Sequence, residues 1–405
     1  MPSRVIVVGA GPAGASLAYL LARAGIRTTL LERQTDFARE FRGEALMPSG
    51  LDAIRQMGLG PQLEALPQAV PEQVEIYQAG HRVLTLGLAS LGGVGGGPHF
   101  VSQPALLEML VAQAEKLPDF RLERGFTARD LLREGDRVAG VRGDSRSGPT
   151  DLPASLVIGA DGRASVVRKR SALDRPRDPQ AFDLVWCRVP RDPRGGDAIR
   201  FYLGPGHFCI AFPTHDGRLQ IGWVIEKGAF GALRRRGIDE WMNELADHVS
   251  PDLGDHLRAH GDDVTDPFLL DVLCDHLLEW SAPGLLLLGD AAHPMSPVAA
   301  QGLNIALRDS LVAANHLTPV LVRGGSSLEV ETACRRVRDE RLPEVQTIQQ
   351  MQRMAPRVLF QRSPWSRLLV GRISPVLARL GVLERLAGAG ARRFTLGTTQ
   401  VELRV

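Results

Sequence analysis

Apolar and polar positions alternate with different periods along this chain, and the change of period marks its organisation. Val5-Ile6-Val7-Val8 is a short β-branched run with no polar interruption, which predicts a strand buried on both faces. Ala15 to Ala24 has helical composition and stops at Gly25, a residue suited to end a helix. Thr28 to Leu31 predicts a second strand. Two more apolar runs end in glycine and an acid: Leu156 to Gly159, before Ala160-Asp161-Gly162, and Leu285 to Leu288, before Gly289-Asp290. Ile305 to Leu317 reads as a helix after the last of them. Between these runs the period drops to two. Val74 to Leu88 alternates loosely, and residues 182 to 226 hold four strand-like runs separated by Gly204-Pro-Gly206 and His215-Asp-Gly217. That pattern predicts an antiparallel sheet inserted into an α/β frame. Residues 231 to 262 read as helical, residues 328 to about 355 as a charged helix, and 364 to 394 as one or two helices broken by glycines. Gly92 to Pro98 reads as a flexible crossing loop.

Composition narrows the class. The 405 residues are 44% hydrophobic and 23% charged, ordinary for a globular chain with a large core. A net charge of +2 gives no reason to expect nucleic acid as partner. The four cysteines are far apart and form no CxxC pair, which argues against a zinc site or a disulfide framework and fits a reducing cytoplasm. No metal site is expected. No apolar run is long enough to span a bilayer, and the N-terminal stretch, interrupted by Pro12 and glycines, reads as strand–turn–helix rather than as a signal peptide.

The 43 glycines cluster where the strands end. Gly9-Ala10-Gly11-Pro12-Ala13-Gly14 joins the first strand to the first helix. In such a turn the first glycine permits the bend, the second lets a diphosphate approach bare backbone, and the third packs helix on sheet. The helix start supplies free N–H groups and partial positive charge. Glu32, with Arg33 beside it, closes the second strand, where a carboxylate accepts ribose hydroxyls and repels a 2′-phosphate. The expectation is a site for FAD or NAD; this unit alone does not separate them. Asp290, at a strand end before a Pro-rich turn, reads either as a ligand for a ribityl or phosphate group or as a helix cap.

Together these motifs resemble the class A flavoprotein monooxygenases, the para-hydroxybenzoate hydroxylase-like family. The resemblance rests on Gly9-x-Gly11-x-x-Gly14 with Glu32, then Gly159-Ala-Asp161-Gly162, then Gly289-Asp290-Ala-Ala-His293 with Pro297 and Gly302-Leu303-Asn304. Phe41-Arg42-Gly-Glu44 and Ser102-Gln103 look like the family's arginine segment and flavin-contacting turn. The resemblance implies a glutathione reductase-like, Rossmann-type FAD domain from residues 1–73, 99–180 and 268–345. It implies a substrate domain from 74–98 and 181–267, followed by a C-terminal helical region, 346–405. It implies one non-covalent FAD, with NADPH or NADH as a transient reductant. Arg42 and Gln103 would approach the pyrophosphate and ribityl chain, Asp161 would serve FAD or NADPH, and Gly302, Leu303 and Asn304 would face the flavin ring. Pro297 would sit beside the flavin hydroperoxide from which one oxygen atom of O2 passes to an aromatic or other electron-rich small molecule. Arg200, Tyr202 and His207 are candidates in the pocket sheet for holding or deprotonating a substrate, although alternation alone does not fix which face they point to. The implied protein is cytoplasmic, monomeric or homodimeric.

Two rival activities share the fold. A flavin-dependent reductase saturating an isoprenoid-like double bond needs the same FAD site and no dioxygen. A flavin-dependent halogenase needs an active-site lysine and a Trp-x-Trp segment. The chain has only Lys116, Lys169 and Lys227 among 48 basic residues, and Trp223 has no second tryptophan at that spacing. One departure from the family matters. Where glycines usually follow the proline, this chain has Ala299 and Ala300, whose methyl groups stand near the expected reaction centre.

Overall fold

The structure, a computed structural model, describes residues 4–38, 44–88, 96–175, 179–192, 195–204, 206–359 and 395–405. Arg42, residues 92–95 of the expected loop Gly92 to Pro98 and the expected helices of 364–394 lie outside the described residues.

The uninterrupted apolar runs form the centre of a six-stranded sheet. Its order is Ser281–Ala282, Leu285–Leu287, Leu156–Gly159, Arg4–Val8, Arg27–Glu32 and Phe120–Arg124. All pairings are parallel except the first, and Val5, Ile6, Val7, Val157 and Leu286 are completely buried. Strands sandwiched between helices need no polar face, so the period-two signal vanishes there. The helices Pro12–Arg23 and Gln301–Val322 cover one another above this sheet, with Leu17, Leu21, Leu307 and Leu311 fully enclosed. The parallel strands therefore end at one edge, where Gly9, Ala160 and Gly289 meet.

The alternating runs form a second, seven-stranded sheet. Its order is Thr265–Leu270, Phe182–Pro190, Arg218–Glu226, His207–Pro213, Ala198–Gly204, Gln73–Gln78 and His81–Gly87. Every pairing is antiparallel except that of Ala198–Gly204 with Gln73–Gln78. The strand Thr265–Leu270 belongs to this sheet and crosses the expected boundary at 267/268. The sheet has two apolar faces. Val185, Tyr202, Cys209, Ile221 and Trp223 pack against the helices Phe230–Arg236, Ile238–Ala246 and Pro251–Ala259. Leu184, Trp186, Phe201, Phe208, Phe212 and Val224 form the other face, together with Phe100, Val298 and Ala300.

The C-terminal region differs from its expected boundary. One helix runs unbroken over Ser327–Leu359, across 345/346. Residues 395–405 lie back on the first domain, where Arg308 donates to the carbonyls of Leu396 and Thr399, and Gln56 donates to that of Val401.

Candidate active site

The three glycine motifs converge because each packs against another. Gly9 has φ +98°, and a Cβ there would stand 2.5 Å from the Ala160 carbonyl oxygen. Gly14 is tighter still: its Cβ would lie 1.9 Å from the Gly9 oxygen. Gly289 sits against the Ala13 methyl, and Ser310 donates to the Ala13 carbonyl. Gly11, in contrast, faces open space. It precedes a helix with no side-chain cap and no acid in its first turn, so unpaired N–H groups and bare backbone point outward together. Glu32 accepts from the Ala10 N–H (3.0 Å) and the Gln34 N–H (2.9 Å), which fixes its carboxylate at the end of the second strand. Each carboxylate oxygen has a further lone pair, so ribose hydroxyls fit there. This cradle fits the ADP half of FAD. Arg33 beside it is exposed.

Asp290 lies across the edge from this cradle. Arg163 donates to it at 3.1 Å and also holds the carbonyls of Asp271 and Met295. Arg163 thus ties the second glycine motif to the third; the sequence offers only a basic run there. Gly302 begins the long helix near Asp290, Leu303 packs partly against the core, and Gln103 opens the helix Gln103–Ala114 behind the Ser102 cap.

Two residues expected to serve the cofactors, Asp161 for FAD or NADPH and Asn304 for the flavin ring, have side chains engaged within the protein. Asp161 accepts from the N–H groups of Val166 (2.6 Å) and Val167 (3.1 Å) and from the Ser165 hydroxyl. It caps the short helix Val166–Arg170, and burial pushes its carboxyl pKa up despite those bonds. Asn304 accepts from the Met47 N–H and donates to the carbonyls of Ala45 and Ala300. It is completely buried, and it stitches the long helix to the segment before it.

The three pocket candidates also need correction. Arg200, Tyr202 and His207 all point to the helix-covered face, away from Val298 and Ala300. The sheet alternates strictly, so Phe201 and Phe208 take the opposite face. Arg200 pairs with Glu75, which burial alone would make a weaker acid but which bonds from Arg82, Arg200 and Tyr77 hold below its usual pKa. Tyr202 stacks on Tyr77 at 4.8 Å and reaches Ser250. His207 accepts the Trp223 indole N–H and walls a cavity of about 350 Å³ with Leu233 and His248. Burial, with His248 adding to it, lowers its pKa to about 3, so it is neutral.

The loop after Pro297 answers the question the alanines raise. Ala299 (φ 60°, ψ 21°) and Ala300 (φ 51°, ψ 42°) are both left-handed, the conformation for which glycine is the usual choice. Gln301 donates to the Ala299 carbonyl at 2.7 Å, and Asn304 donates to that of Ala300 at 2.7 Å. The next helix starts at Gln301 without a side-chain cap, so its first N–H groups remain available to a negatively charged ring.

Beneath the site runs a chain of buried charges. His293 bonds Asp309 (2.7 Å), Asp309 pairs with Arg341 (2.8 Å), and Arg341 pairs with Glu344 (2.5 Å). Glu344 pairs with Arg308 (3.0 Å), and Arg308 holds the C-terminal tail. Burial opposes ionisation of Asp309, but His293 and Arg341 outweigh it and lower its pKa.

A fold and an edge of this kind define a class, the flavoproteins with a Rossmann-type nucleotide cradle beside an antiparallel sheet. A family model described as FAD binding domain matches residues 3–344, and the chain belongs to that family. It is 31% identical over 389 residues to 6-methylpretetramide 4-monooxygenase of Streptomyces rimosus, covering 95% of this chain and 91% of the relative. It is 30% identical over 369 residues to kynurenine 3-monooxygenase of Stenotrophomonas maltophilia, covering 85% of this chain and 77% of that one. In fold it is similar to p-nitrophenol 4-monooxygenase PnpA of Pseudomonas putida, with a TM-score of 0.82 at 19% identity and 99% of both chains covered. The chain is an FAD-dependent monooxygenase acting on a small molecule with O2 and NAD(P)H. Hydride acceptance and dioxygen activation are the chemistry that FAD supplies when bound. Among the described residues no helix is long and apolar enough to cross a membrane.

Proposed function

We propose that this monooxygenase hydroxylates a large, planar, electron-rich aromatic compound held against the flavin-facing side of the seven-stranded sheet. The observation that supports this reading is the makeup of that side. Trp186, Phe201, Phe208, Phe212 and Phe268 line it, and Phe100 stacks on Phe212 at 4.3 Å. A Cβ on Gly222 would meet the Trp186 ring at 2.6 Å, so the missing side chain leaves room for the indole. Aromatic walls of this sort bind flat rings by stacking and apolar burial. Arg188, at one end of the same face, is engaged by Glu44 at 2.9 Å and by Asp216. A small carboxylated substrate would need a cation at the wall's centre. The residues paired across the middle of this face, Phe201, Ile210, Gly222, Trp186 and Phe268, carry none.

The relative's named substrate, 6-methylpretetramide, is therefore the first compound to try. The test is dioxygen and NAD(P)H consumption by the purified yellow protein, with mass spectrometry of the product. 6-Methylpretetramide is expected to gain one oxygen atom, and kynurenine and 3-amino-4-hydroxybenzoate are expected to remain unchanged. Hydroxylation of the two small acids alone would overturn the proposal. Pro297 is placed by this reading next to the reacting oxygen, with Gly9, Gly11, Pro12, Ala13, Gly14, Glu32, Asp290 and Gly302 holding FAD.

A further inference from the structure

The left-handed pair at Ala299 and Ala300 is held from a second direction, and that hold has a consequence for the reaction. Gln352 projects from the helix Ser327–Leu359 and is 1% exposed. Its Oε1 accepts from the Ser296 N–H at 3.2 Å. Its Nε2 donates to the carbonyls of Ser296 (2.9 Å) and Val298 (2.8 Å). With Gln301 on Ala299 and Asn304 on Ala300, three amide side chains take the carbonyls of residues 298, 299 and 300 in succession. Consecutive left-handed residues with a Cβ are unfavourable, so a free segment would relax toward other conformers. The same loop carries Val298 and Ala300 against the substrate wall. Gln349, one turn before Gln352, bonds the carbonyls of Asp275 and Pro294, so the C-terminal helix grips the chain on both sides of Met295.

We propose that Gln352 is a positioning residue for oxygen transfer. It keeps Pro297–Ala300 in the left-handed arrangement, and that arrangement aligns the substrate wall with the oxygen-activating side of the flavin site. This rests on the monooxygenase reading. In coupled turnover, NAD(P)H supplies two electrons as hydride, one atom of O2 enters the substrate as hydroxyl, and the other leaves as water with solvent protons. In uncoupled turnover the same two electrons and two protons convert O2 to hydrogen peroxide, and the substrate is returned. A loosened loop shifts turnover from the first balance to the second.

The experiment uses FAD-loaded full-length protein with Gln352→Met, which keeps the side chain's length and removes its bonds with Ser296 and Val298 and the one it accepts from the Cys274 thiol. Hydroxylated product and hydrogen peroxide are each measured per NAD(P)H oxidised. The product fraction is expected to fall about fivefold, the factor that one lost hydrogen bond produces, with a matching rise in peroxide. The dissociation constant for FAD, read from flavin fluorescence, is expected to change less than about threefold, because the ADP cradle lies elsewhere. Adding Ala299→Gly to Gln352→Met removes the backbone cost and is expected to recover at least half of the lost coupling. Urea unfolding of the same variants separates this from a global loss of stability, which would weaken FAD binding and coupling together. Unchanged coupling in the folded Gln352→Met protein, or loss that glycine does not repair, overturns the proposal. If Gln352→Met does not fold, Gln352→Asn, whose shorter side chain stays neutral and withdraws the amide from the Ser296 and Val298 carbonyls, is read in the same way. Failure of the monooxygenase reading is separate, since the unaltered protein would then yield no hydroxylated product at all.

Discussion

Replacing Ala299 by glycine is expected to stabilise this protein, against the usual direction for alanine to glycine. The backbone at Ala299 is left-handed at φ 60°, ψ 21°. A residue with a Cβ pays about 1–2 kcal/mol there, and glycine does not. Glycine in turn gives the unfolded chain more freedom, costing about 0.4–1 kcal/mol. The net expectation is a gain of about 0.5–1 kcal/mol, seen as a rise in Tm of roughly 1 °C for a chain of this size. Ala300 has the same backbone problem at φ 51° but a different side-chain environment. Ala300 packs, partly buried, against the apolar cluster that includes Phe100, Trp186 and Phe212, and Ala299 is not part of that packing. Removing a partly buried methyl costs up to about 0.8 kcal/mol, so Ala300→Gly is expected to be close to neutral. Two identical substitutions, one residue apart, should therefore separate. The assay is thermal and urea unfolding with saturating FAD. Destabilisation by Ala299→Gly, or a larger gain from Ala300→Gly, refutes the reasoning.

Three further changes test other parts of the site. Glu32→Gln removes the charge that organises the Ala10 and Gln34 N–H groups and is expected to raise the FAD dissociation constant about tenfold, measured by flavin fluorescence. Arg341→Met leaves Asp309 only His293 and Glu344 only Arg308 as ionic partners in the interior and is expected to cost about 3 kcal/mol in urea unfolding; a loss under about 1 kcal/mol would show that the chain of charges is not coupled. The Glu44 carboxylate, 3.7 Å from His215, raises the histidine's pKa. That stabilisation is fully present below the ordinary histidine pKa and is lost as pH rises through the elevated one, so His215→Gln should flatten the fall in stability above about pH 6.5. An unaltered pH profile in the variant would remove His215 from the account.

The parallel core and the ADP cradle were legible because their chemistry is local. A buried strand, a glycine turn and an acid at the next strand end lie close together in the chain, and each constrains backbone directly. Gly9 and Gly14 do what such spacing requires, through contacts a Cβ would break. The substrate wall was not legible in the same way. Alternation at Arg200-Phe201-Tyr202 announces two faces without saying which one meets the flavin, and polar chemistry drew attention to the wrong one. Only the packing of Val298 and Ala300 on the Phe201 side decides it. Arg163 and Gln352 escaped for another reason: their partners lie 127 and 56 residues away, and no period links them. Asp161 shows the converse, a motif acid whose own helix start takes both its oxygens.

The apolar wall also sets how selective this enzyme can be. A pocket built to hydrogen-bond a substrate hydroxyl rejects the analogue lacking it strongly, because its own polar groups are left unpaired. A pocket of aromatic and aliphatic side chains has no such penalty to impose and separates near-isosteres by only about 10–200-fold. On the proposed flavin-facing side, Phe208, Ile210 and Gly222 carry no side-chain donor or acceptor, and the polar pair Arg188 and Gln220 bond each other at 2.9 Å at one end of the face. Ring size and flatness should then govern turnover, while one hydroxyl more or less at the wall should matter little. For planar analogues differing by a single ring hydroxyl away from the reacting carbon, kcat/KM is expected to stay within about 100-fold. Discrimination beyond about 10⁴-fold would require a polar partner at the wall and would contradict the assignment of this face.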